Sequence, residues 1–441
     1  MTKSIQKPKF ICRKPGPKSV KILERDAKIM SPSFTREYSF VYDHAKGNYI
    51  WDVDGRKYLD FASSVAVMNI GHTNPIVTKA IASQLKKGLH CGFTDFYAEI
   101  PLRFSEKLVS LLPKHLDTVF LSNSGTEAVE CAYKCARWHS NKKWFIAFDP
   151  CFHGRTMGSL SMTHSQPVQR DRFEPFLPVK HVPYPYSYRL DMSEKQTTAF
   201  CLAELETAFS TTKEDCAGVM FESVSGEGGY IVPPKDFVKG LRKLCSDYGV
   251  LLCVDEVQSG CYRTGSFLAI ENFAVKPDIV ALSKAIGSGL PLGATIANRS
   301  IMDWPSGSHA NTFGGNLLAC AGGLATLDFL KKKKLGTNAK RMGVLIKSKF
   351  EKFQSKSNLL GDVRGLGLMI GLEIVKDKET KEIAREERRK ILCKASEKGM
   401  ILLPCGKSVI RIAPPLTLSK KEALHGIEIL QEAIEETEAE L

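Results

Sequence analysis

The chain has no apolar run long enough to span a bilayer, no Cys-x-x-Cys pair, no internal repeat and no low-complexity tract. A spanning helix needs about 20 consecutive apolar residues, so no membrane association through such a helix is expected. Without spaced cysteine pairs no metal site is expected either. The 13 cysteines are an odd number, so they cannot all pair within one chain, and many, such as Cys253 and Cys393, lie in apolar runs. There a free thiol acts as a small hydrophobe, and a reduced compartment follows. Acids are missing from residues 1–20, and so is the apolar core of a secretory signal. That basic leader resembles an organelle transit peptide in charge, but with a single arginine, Arg13, and little serine it favours the cytoplasm. A formal net charge of +14 raises the question of nucleic acid, yet the only basic run is Lys331–Lys334 and acids interleave elsewhere, as in 385–390. The expectation is a solvated basic surface that draws in anionic small molecules, with no nucleic-acid partner.

What the chain does have is two apolar runs that each deliver a charged residue. Val250–Val254 reads as a buried strand ending in Asp255, and Ile279–Leu282 as another that hands Lys284 to a glycine-rich turn. Around them, helical spacing at 74–87, 98–112 and 237–248 alternates with short apolar strands at 118–122, 144–149 and 218–222. Such alternation with short connections predicts an α/β fold with a mainly parallel sheet covered on both faces. Before it come a helix at 20–29 and a hairpin at 48–61 turning at Asp54-Gly55. After the helix at 316–334 the texture changes: helices near 340–355, 380–399 and 420–438 enclose strands at 366–375, 401–404 and 409–414. At 441 residues there is room for two domains. The expected division is 1–60 as an N-terminal segment of a small α+β domain, 61–325 as a large domain, and 326–441 as the C-terminal part of the small one.

Chemistry enters at three places. In 122–130 (SNSGTEAVE), Ser124, Gly125 and Thr126 link a strand to a helix, which leaves amides at a helix N-terminus for a phosphate. An ordinary cap by Ser124 or Thr126 explains the same residues. Lys284 after an apolar strand is either a cation snorkelling to the surface or a desolvated amine suited to Schiff-base chemistry. With Asp255 on the same surface, pyridoxal phosphate is the economical reading, the lysine bonding the cofactor and the acid partnering its ring nitrogen.

SNSGTEAVE, the run 152–156 (FHGRT), 226–229 (GEGG), 255–265, 283–294, 312–320 and 361–374 together resemble the class III pyridoxal-phosphate aminotransferases, the family of 4-aminobutyrate, ornithine and acetylornithine aminotransferases. The resemblance implies a fold-type-I enzyme, a homodimer with shared active sites, and pairing into tetramers left open. It gives Lys284 the Schiff base, Asp255 the pyridinium contact, Gln258 the ring's phenolic oxygen, and Gly125 and Thr126 the phosphate. Phe152 would stack on the ring, Thr312 would complete the phosphate cup of the neighbouring subunit, and His153 would serve as support. It also implies that Arg411 binds an α-carboxylate, that Glu227 pairs with Arg411 when an ω-amino donor is bound, and that Arg155 takes a second carboxylate. Ser223 and Ser225 stand where the family often has proline and glutamine, which bears on the pocket wall or the hydrogen bonds behind the ring.

The expectation is a transaminase moving an amino group from an ω-amino donor of 4-aminobutyrate or ornithine type to a 2-oxo acid acceptor, 2-oxoglutarate. The alternative is an amino-acid racemase with the same lysine and cofactor.

Overall fold

The computed structural model describes residues 12–212 and 214–441; residues 1–11 of the basic leader lie outside the described residues. Fifteen strands among the described residues form three sheets. The first joins both ends of the chain. β1 (Tyr42–Lys46), β2 (Tyr49–Asp52) and β3 (Lys57–Asp60) form an antiparallel meander, and β13 (Met400–Ile401) lies parallel to β3, with Met400 opposite Leu59.

The central sheet contains β4 (Thr118–Ser122), β5 (Trp144–Asp149), β6 (Val179–Pro183), β7 (Cys216–Glu222), β8 (Leu251–Asp255), β9 (Ile279–Leu282) and β10 (Gly293–Ala297), in the order β4-β10-β9-β8-β7-β5-β6. β10 is antiparallel to both of its neighbours and the other pairings are parallel. Every residue of β7, β9 and β10 is buried. That is the continuous apolar pattern of strands covered on both faces, and here it produces the mainly parallel sheet of an α/β fold. The helix Gly125–Ser140 covers one side through small residues at helical spacing: Ala128, Ala132, Cys135 and Ala136 are all buried. Small side chains let this helix lie close to the sheet, and its first turn then sits over the strand ends.

The third sheet, β11 (Leu360–Leu366), β12 (Met369–Ile374), β14 (Leu403–Cys405) and β15 (Val409–Ile412), is antiparallel in the order β11-β12-β15-β14. The sequence pattern predicts one strand over 366–375, whereas the chain turns at Gly367-Leu368 and pairs 360–366 with 369–374. The turn is possible because Gly367 adopts φ +55°, and an added Cβ there would meet the Arg263 carbonyl oxygen at 2.6 Å. β1, β6, β10 and the helix Glu194–Thr211 also have no counterpart in the sequence reading. Among the described residues no helix is long and apolar enough to cross a membrane.

One expectation is overturned. Cys393 is not a free thiol: it forms a disulfide with Cys12, 381 positions away. Nothing in the spacing signals this pair, because only the packing of the helix Arg385–Glu397 beside the N-terminal segment brings it together. The other 11 cysteines are free, and ten of them are buried. A denatured, unreduced sample should therefore titrate 11 thiols and a reduced one 13; 13 before reduction would contradict the pairing.

Candidate active site

Five carboxyl ends of the central sheet meet on one edge. β9 is antiparallel to β10 and so is β4, so β4 runs with β9, β8, β7 and β5. Each end contributes: β4 leads to Ser124, Gly125 and Thr126, β5 to Phe152, His153 and Arg155, β7 ends in Glu222, β8 in Asp255 and β9 leads to Lys284. These residues, with Val224, Val257, Gln258 and Ser259, line a cavity of about 300 Å³. Carboxyl ends of neighbouring parallel strands are where open α/β sheets place ligands, because the connections there splay apart.

Lys284 is held in an unusual way. Its φ is +45°, a left-handed conformation that costs a residue with a Cβ about 1 kcal/mol or more. It makes no ion pair among the described residues, and burial lowers its pKa despite the opposing pull of Glu227 and Asp255. The amine is therefore shifted towards its neutral, nucleophilic form.

Asp255 is buried with both oxygens engaged: Oδ1 accepts from the Val257 amide at 2.9 Å and Oδ2 from His153 Nδ1 at 2.8 Å. Burial alone would lower the His153 pKa, but interactions with Cys151 and with Asp255 reverse the sign and hold it above the usual value. The imidazole facing Asp255 and the Val257 amide fix that carboxyl group in direction. Glu222 bridges two segments around the cavity, accepting from the amide of Phe152 at 3.0 Å and from that of Gly226 at 2.9 Å. Desolvation is the main cause that raises its pKa to about 7.

Ser124 caps the helix, accepting from the Glu127 amide at 3.3 Å, so the capping role is real. Gly125 has no room for a side chain, since a Cβ would lie 2.7 Å from Val257 Cγ1. The Thr126 hydroxyl contacts Thr156 Oγ1 at 2.8 Å, and Thr156 in turn donates to Glu130 at 2.6 Å. Gln258 accepts from the Tyr230 hydroxyl at 2.9 Å.

Glu227 and Arg411 form an ion pair. Burial would raise the Glu227 pKa, yet Arg411 foremost, then Lys284 and Arg155, hold it below the ordinary value. Arg411 is buried, and its Nε has no partner among the described residues, so part of its donor fork is unused. Arg155 is exposed at the cavity mouth with its guanidinium 5.5 Å from the Phe152 ring centre. Thr312 is exposed and does not line this cavity. Nor do Ser223 and Ser225. Ser223 donates to the buried Glu256 at 2.7 Å and Ser225 to the Pro150 carbonyl at 3.2 Å, while Val224 between them faces the cavity.

A family model described as aminotransferase class-III matches residues 31–434. The chain belongs to the class III aminotransferases. Over 412 residues it is 36% identical to an acetylornithine aminotransferase of Methanosarcina mazei, covering 93% of this chain and 96% of the relative. It is 35% identical to a leucine/methionine racemase of Thermococcus litoralis, covering 95% and 96%. The fold is that of an amine transaminase from an uncultivated Pseudomonas species in its PLP-bound form, with a TM-score of 0.87 and 31% identity over 92% of this chain and 98% of that one. The architecture is thus fold-type I, and the cofactor of this class III enzyme is pyridoxal 5'-phosphate.

The residues present fit that group. The cavity pairs a depressed lysine amine with a buried carboxylate, has apolar walls at Phe152 and Val257, and opens beside a helix N-terminus kept narrow by Gly125. Glu222 and Val257 line the cavity and Tyr230 bonds to Gln258, none of them given a role in the sequence reading, while His153, read there as support, holds Asp255. Glu222 ends a strand but holds amides of two loops, and His153 lies in a loop but holds an acid on β8, so local sequence pattern shows neither partner.

Glu222 makes a test. A carboxyl with a folded pKa above the unfolded value of 4.5 contributes stability that is complete below 4.5 and is lost as pH rises through about 7. The melting temperature of the cofactor-free protein should carry a falling component across this window. Glu222→Gln should flatten it, and an unchanged slope would assign the titration elsewhere.

Proposed function

We propose that the protein transfers an amino group from an ω-amino donor of 4-aminobutyrate or ornithine type to 2-oxoglutarate, giving glutamate and a semialdehyde. The observation that carries this reading is the Glu227–Arg411 pair within electrostatic reach of Lys284, with Arg155 at the mouth. An α-carboxylate needs the Arg411 fork free. A donor whose reacting amine lies far from its α-carboxylate needs that fork neutralised, and Glu227 does so. With Glu227 turned aside, Arg411 and Arg155 offer one cation to each carboxylate of a five-carbon dicarboxylate.

When bound, pyridoxal phosphate supplies an aldehyde that condenses with amines and a protonated ring that accepts the electron pair released at the substrate carbon. Lys284 would bond the cofactor at rest, and its Nζ, when free, would take the proton from the substrate carbon and later return it. Asp255, fixed by His153, would partner the ring nitrogen. Gln258 would contact the phenolic oxygen, Phe152 would pack on the ring, and the first-turn amides at Gly125 and Thr126 would hold the phosphate, with Ser124 capping the same turn. Thr312, exposed in one subunit, would reach the phosphate of a neighbouring one, which would make the working unit a homodimer. The division into 1–60 with 326–441 as a small domain and 61–325 as a large one belongs to the same reading, as does a cytoplasmic setting.

The second reading, racemisation, is favoured by the likeness to the leucine/methionine racemase. A panel of donors against 2-oxoglutarate, read as glutamate formed, separates the two. Transamination should give parallel initial-rate lines. A D-amino acid appearing from a single L-amino acid without any oxo acid would overturn the leading reading. Lys284→Ala should lose the yellow absorbance of the bound cofactor and, with general acid–base catalysis worth typically 10²–10⁴-fold, fall by at least that in kcat.

A further inference from the structure

The run 361–374 contributes three charged residues to the fold, Asp362, Arg364 and Glu373, that play no part in the chemistry above. We propose that Arg364 is a positioning residue that sets the strength of the Glu227–Arg411 pair by gripping the backbone two residues beyond Glu227. This rests on the reading of Glu227 as the group that neutralises Arg411.

Arg364, on β11, is 9% exposed. Its Nε and Nη2 both donate to the carbonyl of Gly229, at 3.1 and 2.6 Å. The same guanidinium reaches Asp362 at 2.8 Å and Glu373 at 2.8 Å and stacks over Tyr186 with its carbon 4.6 Å from the ring centre. Glu373 is 1% exposed and takes further donors from Tyr186, Arg189 and Ser408, so the far end of the grip is rigid. A bidentate hold on one carbonyl fixes both position and direction.

What is held needs holding. Gly229 has φ +133° and Tyr230, which carries a Cβ, has φ +52°. Glycine visits positive φ freely, but the left-handed backbone of Tyr230 persists only when its surroundings impose it. The opposite side of the loop lies against the β14–β15 connection, where the Gly406 amide donates to the Glu227 carbonyl at 2.8 Å, and β15 itself carries Arg411. The Glu227 side chain thus meets Arg411 only while the loop is pressed onto the third sheet. Arg364 supplies the two side-chain hydrogen bonds that press it there, and a weaker grip would release Arg411 for a carboxylate ligand.

The test uses the cofactor-loaded protein and glutarate, a dicarboxylate that cannot react, with its dissociation constant read by calorimetry. This readout does not depend on whether the enzyme transaminates or racemises. Glu227→Gln should bind glutarate at least threefold more tightly, because a neutral amide competes poorly for Arg411. Arg364→Lys keeps a cation beside Glu373 but cannot place two N–H groups on one carbonyl, and should also tighten glutarate at least threefold. The double variant should bind no more tightly than Glu227→Gln alone. Asp362→Asn, which loosens Arg364 from a half-exposed position, should shift the constant in the same direction by less and guards against misfolding of the lysine variant. Unchanged or weaker binding in both Arg364→Lys and Asp362→Asn, or effects that multiply in the double variant, would overturn the positioning role. An unchanged constant in Glu227→Gln would instead remove the neutralising role of Glu227, and the proposal with it.

Discussion

An amine at the end of a fully buried strand sets the terms for everything around it. β9 has no polar residue, and it delivers Lys284 into a space where an ammonium is poorly solvated. Desolvation of a cation is costly unless the group is paired or neutral. Among the described residues no carboxylate pairs with it directly, and the pKa is depressed instead. The left-handed backbone of Lys284 adds strain to the same residue. Both costs are absorbed by the sheet, whose strands are held by a large apolar core on both faces.

Negative charge around the lysine is distributed rather than concentrated. Asp255 is tied to His153 and a backbone amide, Glu227 to Arg411, and Glu222 to two backbone amides. Each carboxylate therefore has a fixed direction, and none collapses onto the amine. Desolvation holds Glu222 nearer to neutrality than an ordinary carboxylate, and no cationic side chain among the described residues is bonded to it. Such separation of environments lets several ionisable groups within one cavity hold different protonation states at the same pH.

The neighbourhood of Arg411 follows the same logic at the boundary between the central and third sheets. A buried guanidinium with one arm on Glu227 and Nε without a partner among the described residues is ready for a second acceptor. Tight contacts at Gly371 and Gly406, where an added Cβ would lie 3.1 Å from the Gly229 carbonyl oxygen and 2.9 Å from the Gly228 carbonyl oxygen, bring the loop of Glu227 onto the sheet that carries Arg411. Close backbone approach is what glycine permits and a larger residue would prevent.

By itself the sequence determined the α/β alternation, the strands that carry Asp255 and Lys284, and the family, since apolar runs of strand length and glycine-marked loops are local features. The closing helix at 420–438 and the hairpin at Asp54-Gly55 were legible for the same reason. Only the tertiary structure decided which distant residues meet. His153 and Asp255 are 102 positions apart, Arg364 and Gly229 135, Glu227 and Arg411 184, and Cys12 and Cys393 381. No periodicity encodes such pairs, because they depend on strand order and on close backbone approach. The third sheet's turn at Gly367 was misread on similar grounds: an apolar run continues through it, and only the contact with the Arg263 carbonyl shows why the chain bends there.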